Sequence, residues 1–451
     1  MDTQQNIQDR KGLERILFYW NQIWKYTAHL LKWLTLAVIT GLVVGAVSSI
    51  FAHALKAVTG FRMENLQVFL LLPIAGLCIV FLYQKFGKDD GGTNQVLSAI
   101  RSQDNIRLRS APMIFVSTLL THLTGGSAGR EGAAIQLGGS IGNQLGSWFH
   151  LDEEDQHVII MCGMSAAFSA VFGTPMAAAV FSLEVVSVGI MYYAALLPCV
   201  ISSLIAAKFA AGIGIHPESF HVYGIPELTA FTGLKMLLVA VGCGLVSILF
   251  CVTLKGIGDF YKRFLKNPYF RILAASAALI LITVLLQTKD FMGAGNELIQ
   301  LAVEEGQARP SDFLWKLLLT AITMKAGFRG GEIVPSFCIG ATFGCVMGQL
   351  VGLSPSLCAA SGMAALFCGV TNCPLTSLLL ALELFAGGSG GMFTGQSLGL
   401  FAASIAVSYM LSGYYGLYSE QKILYSKFRP EFINAKANDR PAPHGGISTE
   451  K

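Results

Sequence analysis

Apolar runs of membrane-spanning length recur along most of this chain, at 33–55, 66–84, 110–124, 191–213, 232–253, 270–287, 313–326 and 394–412. A bilayer core takes about 20 consecutive apolar residues per helical crossing. A chain that supplies such runs again and again has lipid for a solvent. Composition agrees: 53% of the 451 residues are hydrophobic and only 13% charged, where soluble domains carry about 25%. The expected fold class is all-α, a multi-span membrane bundle.

The charges that remain sit mostly at the ends. Arg10, Lys11, Arg15, Lys25 and Lys32 precede the first run, and Lys422, Lys427, Arg429, Lys436, Arg440 and Lys451 follow the last. Basic flanks stay inside, so both termini are expected in the cytoplasm, with an even number of crossings of the cell's inner (plasma) membrane. A formal net charge of +4 gives no reason to expect nucleic acid as a partner; lipid is the expected surroundings. The N-terminus lacks a signal-peptide pattern. The ten cysteines sit singly, with no CxxC pair, and are read as structural thiols. Neither a His/Cys cluster nor a nucleotide loop is present. No cofactor, no metal and no ATP-driven pumping are expected.

The chain is written twice. "GMSAAFSAVFGTPMAAAVFSLEV" (163–185) and "GMAALFCGVTNCPLTSLLLALEL" (362–384) both open Gly-Met. Each places a proline twelve residues after that glycine (Pro175, Pro374) and a glutamate nine after the proline (Glu184, Glu383). Glycine ladders at four-residue spacing precede both blocks: Gly138, Gly142 and Gly146, then Gly340, Gly344 and Gly348. The expected organisation is a cytoplasmic segment 1–32, a first transmembrane half 33–213, a linker 214–230, a second half 231–412 and a cytoplasmic tail 413–451. The tail, from about 428, is expected to lack fixed structure, and no regulatory soluble domain is expected on it. Transporters are often built from such repeats, with their sites where broken helices of both halves meet. Small-xxx-small faces let helices approach closely in lipid. A protein using the ladders only for packing would leave its charges unexplained.

Two glycine-rich turns open equivalent helices: Gly129-Arg130-Glu131-Gly132, and Gly330-Gly331-Glu332-Ile333-Val334-Pro335. Free N–H groups at a helix start form an anion site. Two starts aimed at one spot would dehydrate an anion without the full charge of a lysine. They would also hold it loosely enough to let it go. Glu131 is itself an anion at such a start. Once protonated it can leave the site to the substrate, which couples proton movement to anion movement. The alternative is a plain cap, or a pair with Arg130. Arg130 has the weaker claim and is read mainly as holding the turn, and Glu184 and Glu383 are read mainly as scaffold.

These pieces resemble the CLC family of anion channels and proton-coupled anion antiporters. "GREG" (129–132), "GTPMAAAVFSLE" (173–184), "GGEIVP" (330–335) and "GLYSEQKIL" (416–424) occur in order within roughly 35–425. The resemblance implies an inverted duplication with short broken helices and a homodimer with one pathway per subunit. It also implies a gate at Glu131, backbone donors from Gly132 onward and from Ile333 and Val334, and an inner hydroxyl at Tyr418. Without it, Tyr418 would be one more interfacial aromatic.

The departures from chloride-type members concern the ion. "DDGGTNQVLSAI" (89–100) stands where they carry GSGIP, Ala133 follows GREG in place of proline, Glu332 follows the glycines, and Val185 stands where exchangers often carry a second glutamate. Together these look like the fluoride/proton antiporter branch, in which an asparagine replaces the serine. Asn94, 37 residues before Glu131, falls at that place, although it could also cap a turn. The expected function is proton-coupled export of fluoride. The alternatives are a chloride/proton exchanger or passive chloride channel of the same family. An enzyme would need a nucleophile or metal cluster beside the glycine turns, and the sequence offers none.

Overall fold

The computed structural model describes residues 12–87, 90–102, 106–385, 395–428, 431–436 and 438. Arg10, Lys11, Arg429, Arg440 and Lys451 of the basic flanks lie outside them. Among the described residues the first half contains α1 (Gly12–Glu64), α2 (Leu72–Phe86), α3 (Thr93–Ala99), α4 (Ser110–Leu123), α5 (Glu131–Trp148), α6 (Glu153–Phe172), α7 (Pro175–Glu184) and α8 (Leu196–Gly212). The second contains α9 (Ala230–Phe264), α10 (Pro268–Leu286), α11 (Asn296–Glu304), α12 (Asp312–Ala326), α13 (Ile333–Val351), α14 (Pro355–Thr371), α15 (Pro374–Phe385) and α16 (Gly395–Leu411). Among the described residues seven helical segments are long and apolar enough to cross a membrane, and shorter apolar helices lie between or after them along the chain. The all-α expectation holds. The helix that carries the 33–55 run begins far upstream, at Gly12, since no proline interrupts residues 12–32.

The duplication is visible as packing. In the first half α5 lies on α6, and in the second α13 lies on α14. A Cβ added to Gly138 would strike the carbonyl oxygen of Gly163, and one added to Gly340 would strike that of Gly362. Ladder glycine meets block-opening glycine in both halves. Such contacts are the close backbone approach that small residues permit in lipid, where dispersion rather than the hydrophobic effect holds helices together.

A small sheet is added to the helices. β1 (Ser187–Val188) pairs in parallel with β2 (Lys422–Tyr425), and β2 pairs antiparallel with β3 (Phe432–Lys436). The register sets Ser187 beside Lys422 and Lys422 beside Lys436. For Phe432–Lys436 this corrects the expectation that the tail from about 428 lacks fixed structure, while residues 439–451 of that tail lie outside the described residues. Backbone pairing to β2, with the Tyr425 and Phe432 rings edge to face at 5.7 Å between centroids, orders Phe432–Lys436 within an otherwise polar tail. The sheet ties the tail to the segment between α7 and α8 of the first half.

Candidate functional site

Arg130 and Glu332 each stand immediately before a helix, α5 and α13. The glycine before each of them joins the two halves. Gly129 N–H donates to the Gly331 carbonyl at 2.7 Å, and Gly331 N–H donates to the Gly129 carbonyl at 2.8 Å. This reciprocal bridge links positions that the duplication makes equivalent. Around it there is no spare volume: a Cβ on Gly132 would lie 2.8 Å from the Gly330 oxygen and 3.2 Å from Gly331 Cα. The two helix starts are thus held at one place by backbone alone.

Glu131 occupies that place. Its side chain is fully buried and folds back over its own helix start. Oε1 accepts from the Arg130 N–H at 3.0 Å, and the backbone N–H groups of Glu131 and Val334 also face the carboxylate. A first-half glutamate therefore meets donors from both halves. Its other oxygen, Oε2, has no hydrogen-bond partner, so a proton can be added there without breaking a bond. The glycines make the room. A Cβ on Gly129 would come within 2.5 Å of Oε1, and one on Gly331 would fall within 2.7 Å of Gly132 N and 3.0 Å of Glu131 N.

The other expected residues gather at different ranges. The Thr93 hydroxyl donates to the Gly132 carbonyl at 3.3 Å, which sets α3 against the first turn of α5. The next residue, Asn94, is half-buried, and its Oδ1 accepts from the Glu420 N–H at 3.4 Å. Its Nδ2 donors are therefore separate from the group that holds the tail. Tyr418 is 4% exposed and lies within electrostatic reach of both Glu131 and Glu332. It is fixed by its neighbours. Leu417 N–H donates to the Val370 carbonyl at 2.8 Å. Gln421 Nε2 donates to the Thr371 and Val185 carbonyls at 2.8 and 3.0 Å, and Gln421 Oε1 accepts from Asn372 at 2.9 Å.

Arg130 does something different from touching an ion. Its guanidinium pairs with Glu218 of the inter-half segment and lies over the Phe172 ring, 5.2 Å from the centroid. Only its backbone N–H serves the Glu131 carboxylate.

Several residues at the site went unassigned in the sequence. Glu332, noticed only as a departure, forms a salt bridge with Lys325 at 3.0 Å. His122 Nε2 lies 3.1 Å from the Gly129 carbonyl, and Arg62 donates to the His122 carbonyl at 2.7 Å. Lys316 is completely buried and donates to the carbonyls of Phe291 and Gly293 at 3.1 and 2.7 Å. A lysine near the start of the 313–326 apolar run was itself a signal, because intramembrane charges default to function.

Comparison with known proteins agrees with this geometry. Residues 75–408 match the family described as voltage gated chloride channel. A chloride/fluoride channel protein of Pseudomonas syringae pv. tomato is 34% identical over 409 residues, 88% of each chain. An H(+)/Cl(-) exchange transporter, ClcA, of Vibrio cholerae is 25% identical over 383 residues, 78% of this chain and 81% of that one. The crystal structure of a CLC-type fluoride/proton antiporter superposes with a TM-score of 0.82 at 36% identity, covering 87% of this chain and 98% of its own. With a matched region that spans most of the chain and a relative above 30% identity, this polytopic membrane protein belongs to the CLC, or voltage-gated chloride channel, family of anion transporters.

Proposed function

We propose that this protein is a proton-coupled antiporter that exports fluoride, working as a homodimer with one pathway per subunit in the plasma membrane. Both termini, including the tail 413–451, lie in the cytoplasm, and residues 33–213 and 231–412 form the two transmembrane halves around the linker 214–230. One observation carries the reading: the Glu131 carboxylate sits on backbone N–H groups of two helix starts that the Gly129–Gly331 bridge locks together. A carboxylate held by such donors is a stand-in for a small anion. A proton on Oε2 weakens its hold and lets the anion replace it, with donors from Arg130, Gly132, Ile333 and Val334 as the receiving groups. Asn94 and Tyr418 take the ion on the inner side. No step forms or breaks a covalent bond other than that to the proton, so the protein acts as a transporter and not as an enzyme.

The similarity to a fluoride/proton antiporter at 36% identity supports fluoride as the ion. The test is flux from liposomes loaded with fluoride or chloride, with pH recorded outside. Fluoride efflux that drives protons inward is the expected result. Chloride moving as fast or faster under the same gradient assigns the protein to chloride/proton exchange, and anion flux without proton movement makes it a channel.

A further inference from the structure

Lys316 is, like Glu131, an ionisable side chain wholly out of contact with solvent. An ammonium ion taken wholly out of water loses several kcal/mol of hydration, and its two carbonyl partners are neutral. Among the described residues no carboxylate lies within salt-bridge distance of it. The groups that act on it electrostatically are Cys338, then the Arg62 guanidinium, then the Glu131 carboxylate, and Arg130 is a second cation acting on that carboxylate.

Its position explains how. Lys316 belongs to α12 of the second half, and the Gly293 carbonyl that it holds also accepts from the Ala128 N–H at 3.1 Å. Ala128 directly precedes the Gly129–Gly331 bridge. Gly293 N–H in turn donates to the Gly126 carbonyl at 3.1 Å. Gly293 also lines a cavity of about 500 Å³, together with Arg62, His122, Arg130, Glu218 and Asn296; neither Asn94 nor Tyr418 lines it. Lys316 thus holds a carbonyl whose residue both lines this cavity and supports the loop that enters the Gly129–Gly331 bridge.

We propose that Lys316 is a fixed positive charge, additional to that of Arg130, that loads the anion site, favouring whichever anion, Glu131 or substrate, occupies the two helix starts. This deepens the transport reading above and rests on it. It also amends the expectation that backbone dipoles suffice without a lysine. A charge that acts through intervening loop is felt in proportion to the ion's charge and hardly at all to its radius. Lys316 therefore sets how tightly any monovalent anion is held, and leaves the choice between fluoride and chloride to the groups in contact with the ion.

The test uses the full-length protein in liposomes and reads half-saturating concentration, maximal rate and the fluoride-to-chloride ratio. Lys316→Gln keeps an N–H donor for the Gly293 carbonyl and removes the charge. At a pH acidic enough to keep the Glu131 gate protonated, so that no carboxylate competes for the site, its half-saturating concentrations for fluoride and chloride should both rise roughly tenfold, equivalent to about 1.4 kcal/mol, with the ratio between them unchanged. Lys316→Arg should restore wild-type values. If Lys316→Gln does not fold, Lys316→Met, of similar volume, carries the same expectation. Unchanged half-saturation in the charge-deleting variant, or a change for one anion only, overturns the proposal while wild-type transport stands. A wild-type protein that moves neither anion would remove the transport reading instead.

Discussion

Glu184 and Glu383 cap each other's neighbouring helices across the boundary between the two halves. The Glu184 carboxylate, at the end of α7, accepts from the backbone N–H groups of Leu375 and Thr376 at 3.1 and 2.9 Å and from the Thr376 hydroxyl at 2.6 Å. The Glu383 carboxylate, near the end of α15, accepts from Met176 and Ala177 at 2.8 and 2.9 Å. Each helix starts with a proline, Pro175 or Pro374, which has no N–H to give. The glutamate nine residues along its partner takes the next two donors. A carboxylate at a helix start is also stabilised by the macrodipole. The Gly-Pro-Glu punctuation that recurs in the sequence is the written form of this exchange.

Removing either cap should loosen the contact between the halves and leave the ion site alone. A lost N-terminal cap costs about 0.5–2 kcal/mol. Glu184→Ala should cost more than Glu383→Ala, because Glu184 makes three bonds and is nearly buried, whereas Glu383 makes two and is half-buried. Thermal unfolding in detergent checks the order. The fluoride-to-chloride flux ratio of both variants should equal that of the wild type, and a shifted ratio would assign these glutamates to the pathway.

The duplication was legible because it repeats residue types with backbone consequences: proline, which lacks a donor, and glycine, which lacks a Cβ. Gly138 and Gly340 could be recognised as a ladder, but their meeting with Gly163 and Gly362 is a tertiary fact. The turns at 129–132 and 330–334 carried the site for the same reason. Lys316 and Arg62 were harder to see. Each is a single basic residue whose partners are backbone carbonyls distant in sequence, in α4 for Arg62 and in the loop before α11 for Lys316, and a carbonyl has no signature in a sequence. Phe432–Lys436 escaped notice because its order comes from antiparallel pairing with β2, with Tyr425 opposite Phe432 and Lys422 opposite Lys436, and five residues carry too short a pattern to announce a strand.

Glu131→Gln keeps the shape and burial of the side chain and removes its titration. Proton movement driven by a fluoride gradient should disappear, while the protein remains folded by size-exclusion chromatography. The neutral amide resembles the protonated gate, so whatever anion flux remains should no longer vary with external pH. Proton transport at the wild-type level in this variant would return Glu131 to the role of a simple helix cap.

Gly331→Ala tests the backbone bridge directly. The new Cβ would stand 2.7 Å from Gly132 N and 3.0 Å from Glu131 N, and would collide with the carboxylate itself. The carboxylate can swing aside, but the two backbone nitrogens cannot move without parting the helix starts. Overpacking of this kind costs about 1–3 kcal/mol. The expected outcome is a folded protein whose fluoride flux falls at least about tenfold and whose proton coupling is lost with it. Wild-type coupling in Gly331→Ala would mean that the bridge is not needed to hold the two starts together.

Asn94 offers the sharpest test of ion choice, because its two ends face different tasks. Oδ1 accepts from the Glu420 N–H, whereas the Nδ2 hydrogens are the donors available to an anion. Stripping water from fluoride costs more than stripping it from chloride, since the same charge sits on a smaller ion. A lost donor should therefore harm fluoride first. Hydrogen bonds to a charged group contribute about 1.5–3 kcal/mol, or roughly ten- to a hundredfold in equilibrium preference. Asn94→Ala removes both ends, so by itself it cannot tell a donor from a scaffold. Asn94→Asp keeps the acceptor for Glu420 and removes the donors. If the amide selects fluoride, both variants lose the preference, and aspartate loses it more completely because its charge repels the ion. If Asn94 serves only to hold the tail beside α3, the aspartate variant retains wild-type selectivity and only alanine fails. Parallel fluoride and chloride efflux from liposomes at neutral pH distinguishes the two outcomes.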